Sequence, residues 1–239
     1  MMITKGTTVE EHAAGLVLAR GKSSELPRKN IQILNGLPLL AWVLRPMKDY
    51  KGFDSLWVAT DDNDIAEVAS KWGANIFWRS PRTSQDRATS VEAVQEFLQY
   101  HPEVTVVALV QCTSPCIHPN YLKNAHDMII NNHFDSVFSV TRQHKLRWSE
   151  VFEDGSTKAL NFDPAKRPRR QDWPGELVET GHFYFVRRYL VMSGLLQGGR
   201  CGYVELPAEL CTEIDSEFDW MMAEHQVKFY GYYGDCETS

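Results

Sequence analysis

Thr105-Val106-Val107-Ala108-Leu109-Val110-Gln111, followed at once by Cys112-Thr113-Ser114-Pro115, is the stretch that decides how the chain is read. A short, valine-rich apolar run that ends in a polar turn predicts a central buried strand. The same rhythm continues on both sides of it. Strands are expected at 14–19, 55–60, 75–78, 135–141, 182–186 and 202–206, with helices at 38–50, 63–72, 89–100, 119–131 and 217–229. This alternation predicts an α/β fold, a mostly parallel sheet covered by helices. Pro38 and Pro119 suit the first turn of a helix, where a missing N–H costs nothing. Pro46 is expected to kink or shorten the first helix.

The chain has 239 residues, 43% hydrophobic and 23% charged, with a formal net charge of −6. That composition suits one domain, 13–239, preceded by a flexible polar N-terminus, 1–12, that lacks the apolar stretch of a signal peptide. No apolar run is long enough for a membrane span. The acidic balance argues against a general nucleic-acid binder, although an anionic substrate stays open because the basic residues are clustered. Cys112, Cys116, Cys201, Cys211 and Cys236 form an odd, scattered set and read as reduced thiols.

Four constellations carry chemistry. The first, Ala19-Arg20-Gly21-Lys22-Ser23-Ser24-Glu25-Leu26-Pro27-Arg28-Lys29-Asn30, leaves the end of the first strand, where open α/β sheets bind ligands. Gly21 permits close backbone approach, Ser23 offers a hydroxyl, and Arg20, Lys22, Arg28 and Lys29 can surround a polyphosphate; the alternative is a basic surface turn. In the second, Gln111 has a donor and an acceptor for a base edge or sugar hydroxyls, with Thr113 and Ser114 beside it, or the segment is simply a polar turn. Glu213-Ile214-Asp215 is the third: alternation points both carboxylates to one side, where they can hold Mg²⁺, or Asp215 or Ser216 caps a helix. The fourth is Lys166-Arg167-Pro168-Arg169-Arg170-Gln171, readable as a localisation signal, an anion-binding segment or a solvated loop. It lies in a long excursion, 143–179, whose Trp148, Phe152, Phe162 and Trp173 suggest an arm that packs on another subunit.

Taken in order, these motifs, with Arg79 ahead of a Ser/Thr-rich loop, resemble the CMP-sialic acid synthetases, from about Gly15 to Tyr233. The resemblance implies a Rossmann-like nucleotidyltransferase fold and transfer of CMP from CTP to a sialic acid. It also implies a homodimer, conceivably paired into a tetramer, and a divalent cation such as Mg²⁺ or Mn²⁺. Carried over by position, Arg20, Gly21, Ser23, Lys29 and Asn30 match the nucleotide loop. Arg79, Ser90, Gln111, Thr113, Ser114 and Gln171 fall at substrate-binding positions. Arg169 matches a catalytic arginine on the dimerisation arm, and Asp215 with Glu213 matches the metal-binding carboxylates.

The family's ARGGSKGIP is ARGKSSELP here, so Ser24 and Glu25 replace a lysine and a glycine. Ala88 stands in place of a serine, and Glu213 in place of an aspartate. A second, phosphatase-like domain common in animal members is missing from this stretch. Rival readings are a cytidylyltransferase for another acidic 2-keto sugar such as Kdo, and a catalytically silent binding homologue. A nuclear or cytoplasmic location is expected, or a Golgi one if an N-terminal targeting segment was removed.

Overall fold

Val106, Ala108 and Val110 enter one hydrophobic cluster, Val107 and Leu109 enter another, and all five are fully buried. A strand that is apolar on both faces must lie inside a sheet with helices on both sides. The computed structural model describes residues 11–22 and 26–234. In chain order the elements are β1 (Ala13–Leu18), β2 (Ile33–Leu34), β3 (Leu37–Pro38), α1 (Leu39–Tyr50), β4 (Ser55–Thr60), α2 (Asn63–Lys71), β5 (Asn75–Trp78), α3 (Ser90–Tyr100), β6 (Val106–Val110), α4 (Pro119–Ile130), β7 (Ser136–Gln143), β8 (Glu176–Arg187), α5 (Arg188–Met192), β9 (Cys201–Glu205) and α6 (Glu217–Tyr230).

Seven strands form one sheet in the order β5-β4-β1-β6-β8-β7-β9, while β2 and β3 make a separate hairpin. β5, β4, β1 and β6 pair in parallel. β8 runs antiparallel to both β6 and β7, and β7 pairs in parallel with β9. The larger core packs residues of α1, α2, α4 and α6 on one face of the sheet, and the smaller packs α3 and α5 on the other. Two consecutive arginines at the β8–α5 junction tie these layers together. Arg187 donates to the carbonyls of Ile129 and Phe134, and Arg188 to those of Leu98, His101 and Val104. Cations are favoured there because the last carbonyls of α3 and α4 lack helical donors.

Each expected strand is present, with ends moved by a few residues, and β8 is extended toward its N-terminus. Its pairing from Val140↔Glu179 to Gln143↔Glu176 takes both edges of the expected arm into the sheet. The excursion outside regular strands is therefore 144–175, shorter than 143–179. Pro46 does not shorten α1, which continues to Tyr50 with Pro46 buried; core packing on this face outweighs the one lost backbone bond. Pro38 is the N-cap of α1, in extended conformation, rather than a first-turn residue. Of the expected flexible N-terminus, residues 1–10 lie outside the described residues. Glu11 and His12 are fastened to the sheet: Glu11 pairs with Arg187 at 2.8 Å, and the His12 N–H donates to Thr105 Oγ1 at 2.9 Å.

Candidate active site

The C-terminal ends of β1, β5 and β6 open onto a cleft of about 270 Å³. It takes Arg20, Lys22, Lys29 and Asn30 from the loop after β1, Arg79 from beyond β5, Ser90 from the start of α3, and Gln111 and Thr113 from beyond β6. Residues nearly a hundred positions apart thus converge because parallel strands all end at the same edge. Leu18, Asp86, Ala88 and Thr89 complete the lining. Ser23, Ser24 and Glu25 lie outside the described residues.

The loop after β1 is held by the protein before any ligand arrives. Gly21 donates its N–H to Asp61 at 2.8 Å, and a Cβ added at Gly21 would stand 2.8 Å from Asp62 Cβ. Only glycine lets the loop approach the turn after β4 so closely. Asn30 is buried and donates its amide to the Arg20 carbonyl at 2.9 Å, so it braces the loop. Arg20 pairs with Asp86 at 3.2 Å and donates to the Gln85 carbonyl. Burial lowers the Arg79 pKa, and Arg20 adds to this by repulsion; Asp61 and Glu96 act against it.

Lys29 links the loop to the carboxylate turn 186 residues away. Its Nζ donates to the Ile214 carbonyl at 2.7 Å and to Asp215 Oδ1 at 3.1 Å. Ile214 is fully buried, while Glu213 and Asp215 are exposed, as alternation requires, with Asp215 against the cleft residue Lys29. Of the two capping candidates, Ser216 is the N-cap of α6, in a reciprocal box with Asp219, so capping holds for Ser216 and not for Asp215. The β7–β8 register shifts between Phe138 and Val140, and Gly181 in the displaced segment adopts φ +72° with Glu213 against it. Burial raises the Glu213 pKa, and the neighbouring Asp215 raises it further. Two adjacent carboxylates that repel one another, beside a cleft lined by hydroxyls, are a donor set suited to a hard divalent cation. Among the described residues no group of three or more acidic, histidine or cysteine side chains is placed to hold a metal ion, so substrate oxygens or water would have to complete the shell.

Gly21, Glu213 and Asp215 adjoin the cleft without lining it, and three further expected site residues are elsewhere. Ser114 is fully buried, its Oγ has no partner, and it does not line the cleft. Arg169 and Gln171 sit on the excursion, exposed and outside this cleft, with Arg169 paired locally to Asp172 at 2.5 Å. Their neighbours Arg167 and Arg170 line a second, basic hollow with His144, Lys145 and Trp173. The cysteines are free thiols among the described residues, and burial pushes the Cys112 thiol up to about 12. Sequence reasoning missed Asp61, Asp86 and Glu96. Asp61 and Asp62 immediately follow an apolar strand, which was a usable signal; Asp86 and Glu96 gave none, since only the folded loop brings them to the arginines.

The sequence model of one family, cytidylyltransferase, matches residues 14–230. The chain belongs to the cytidylyltransferase family. The chain is 49% identical over 234 residues to the N-acylneuraminate cytidylyltransferase of Oncorhynchus mykiss, covering 97% of this chain and 54% of that protein. It is 30% identical over 217 residues to a pseudaminic acid cytidylyltransferase of Campylobacter jejuni, covering 93% of the latter. In fold it is similar to a CMP:2-keto-3-deoxy-manno-octonic acid synthetase solved with CTP, at a TM-score of 0.67 and 17% identity, covering 91% of this chain and 99% of that one. The chain spans about half the length of the animal relatives it matches.

Proposed function

We propose that this cytidylyltransferase transfers CMP from CTP to the anomeric hydroxyl of a sialic acid and releases pyrophosphate. The observation that carries the reading is the meeting of two charge sets: Arg20, Lys22, Lys29 and Arg79 line the cleft, and Glu213 and Asp215 stand beside it, with Lys29 and Asp215 in contact. The similarity to animal N-acylneuraminate cytidylyltransferases supports the choice of sugar.

In this reading the anomeric oxygen attacks the α-phosphorus of CTP, and the bond from that phosphorus to the bridging oxygen of pyrophosphate breaks. The hydroxyl proton leaves to a phosphate oxygen or to water. Arg20, Lys22 and Lys29 bind the triphosphate and offset its charge, while Gln111 and Ser90 orient the substrates. Glu213 and Asp215 would hold a divalent cation such as Mg²⁺. When bound, it supplies Lewis-acid stabilisation of the charge that builds on the leaving group.

The excursion 144–175 serves, we propose, as a dimerisation arm that carries Arg169 toward the partner's cleft. Trp148, Val151, Phe152 and Leu160 are exposed on it, and Trp148 stacks edge-on against Phe162 at 5.3 Å. Such residues on a projecting segment suit a contact with a second copy. A second sugar is favoured by one observation, the similarity to a pseudaminic acid enzyme over nearly its full length. Incubation with CTP, Mg²⁺ and a panel of sialic, pseudaminic and Kdo-type acids tests the proposal through pyrophosphate release. Highest kcat/KM for a sialic acid is expected; no release with any sugar acid would leave the chain a binding homologue.

A further inference from the structure

Behind Arg79, away from the cleft opening, α3 carries a carboxylate that the proposed chemistry does not use. Glu96 is only 6% exposed, so its charge is out of water and needs compensation. That compensation comes from one short turn. Thr83, itself fully buried, donates its hydroxyl to Glu96 Oε2, and the Ser80 N–H points at the same oxygen from 3.4 Å. Burial opposes the charge, yet these hydrogen bonds hold the Glu96 carboxyl below its ordinary range. Thr83 faces two ways: its backbone carbonyl accepts the Arg79 Nη2–H. The chain of contacts therefore runs from Glu96 through Thr83 to Arg79, and from Arg79 into the cleft.

Arg79 depends on such support. Its guanidinium is partly desolvated, Arg20 repels it, and its Nε–H is buried without a partner. A cation in that setting holds one direction only where fixed anions and acceptors outweigh desolvation and repulsion. Of the two carboxylates that act on it, Asp61 is exposed, and it also takes the Gly21 N–H; Glu96 is the buried one. A buried apolar residue would pack at position 96 at lower cost if packing were all that the site required.

We infer that Glu96 is a positioning residue: by fixing Thr83 and setting a buried negative charge behind Arg79, it keeps the guanidinium aimed into the cleft for an anionic substrate. The inference rests on the reading of the cleft as the CTP and acid-sugar site, so its test has one arm that uses no substrate. The Nε–H resonance of Arg79, identified by its loss in Arg79→Lys, should exchange slowly with solvent in the wild type. Glu96→Gln keeps an acceptor for Thr83 but removes the charge, and exchange should become at least about fivefold faster. The second arm is a double-mutant cycle on CTP affinity. Glu96→Gln should weaken CTP binding about tenfold, and this loss should vanish in an Arg79→Ala background. Should Glu96→Gln prove unfolded, Thr83→Val, which deletes the hydroxyl without changing shape, should produce the same pattern at smaller size. Unchanged Nε–H exchange, or an undiminished Glu96→Gln loss in the Arg79→Ala background, would overturn the inference. Failure of the wild type to bind CTP would sink the reading of the cleft instead, and the exchange measurement would still decide the role of Glu96.

Discussion

The cleft at the sheet edge and the run 166–170 within the excursion 144–175 are both rich in arginine and lysine, and the protein holds them differently. In the cleft two cations are braced by residues distant in sequence, Lys29 by Ile214 and Asp215 and Arg20 by Gln85 and Asp86, while Arg79 is held by the carbonyl of Thr83, four residues on, in a buried turn. In the excursion, Arg169 is held only by Asp172, three residues on, and both side chains are largely in water. Exposed ion pairs of that kind contribute about 0–1 kcal/mol, too little to fix a guanidinium. The cleft is thus preorganised within one chain, and in the excursion Arg147 is likewise fixed by Glu176, whereas Arg169 is not fixed from a distance.

Several substitutions can break that contrast. The largest expected effect is in the cleft. Asp215→Asn should lower CTP turnover at least about a hundredfold while leaving the melting temperature nearly unchanged, because it removes a proposed metal carboxylate without touching the Ser216–Asp219 cap. Activity close to wild type at ordinary Mg²⁺ would show that the carboxylates are not functional. Core packing comes next. Leu109→Ala, at a fully buried position, should cost about 2–5 kcal/mol in urea denaturation. Leu160→Ala, 48% exposed on the excursion, should change subunit stability by less than about 0.5 kcal/mol and should instead weaken self-association in dilution series.

Arg169→Ala tests the excursion directly. We expect kcat to fall about ten- to a hundredfold with the sedimentation profile of a dimer unchanged. Mixed with Asp215→Asn after verified subunit exchange, it should recover activity, since one of two shared sites would then be intact. A monomeric wild type would end the arm proposal, and an exchanged dimer without recovery would return Arg169 to its own subunit.

The smallest effect concerns Glu213, whose pKa lies above its ordinary value in the folded protein through burial and Asp215. A carboxyl raised on folding favours the folded state at low pH, and that contribution is lost as pH rises through the folded-state pKa. Glu213→Gln should therefore melt slightly higher than wild type near neutral pH, with the gap closing below about pH 4. Partial exposure of Glu213 keeps the gap small, and added Mg²⁺ should raise the melting temperature of the wild type only. A gap that is constant across pH would mean that the two carboxylates do not interact.

Much of the fold was legible because short-range chemistry encodes it. The valine run of β6, the Asp62 cap of α2, the Thr89–Glu92 box of α3 and Pro119 at the start of α4 each mark an element within a few residues. The five-residue helix α5 and the β2–β3 hairpin were not anticipated, being too short for a periodic signal. The loop after β1, Arg79, Ser90 and Gln111 were found through motif order. Ser114 was misplaced, since a polar residue beside a polar turn gives no sign that its side chain turns inward.

The sequence alone determined the alternation of strands and helices, the membership of the basic loop, and the presence of two carboxylates two residues apart, because each depends on neighbours along the chain. Only the tertiary structure decided which charges meet. Lys29 reaches Asp215 because β1 and β6 lie side by side and the segment before α6 returns to their common edge, where the Ile214 N–H donates to the Thr113 carbonyl at 3.1 Å. Likewise Glu96 stands behind Arg79 because α3 covers the face of the sheet beside β5. Electrostatic partnership falls off with distance in space and is indifferent to distance along the chain, so no local pattern could have announced either pair.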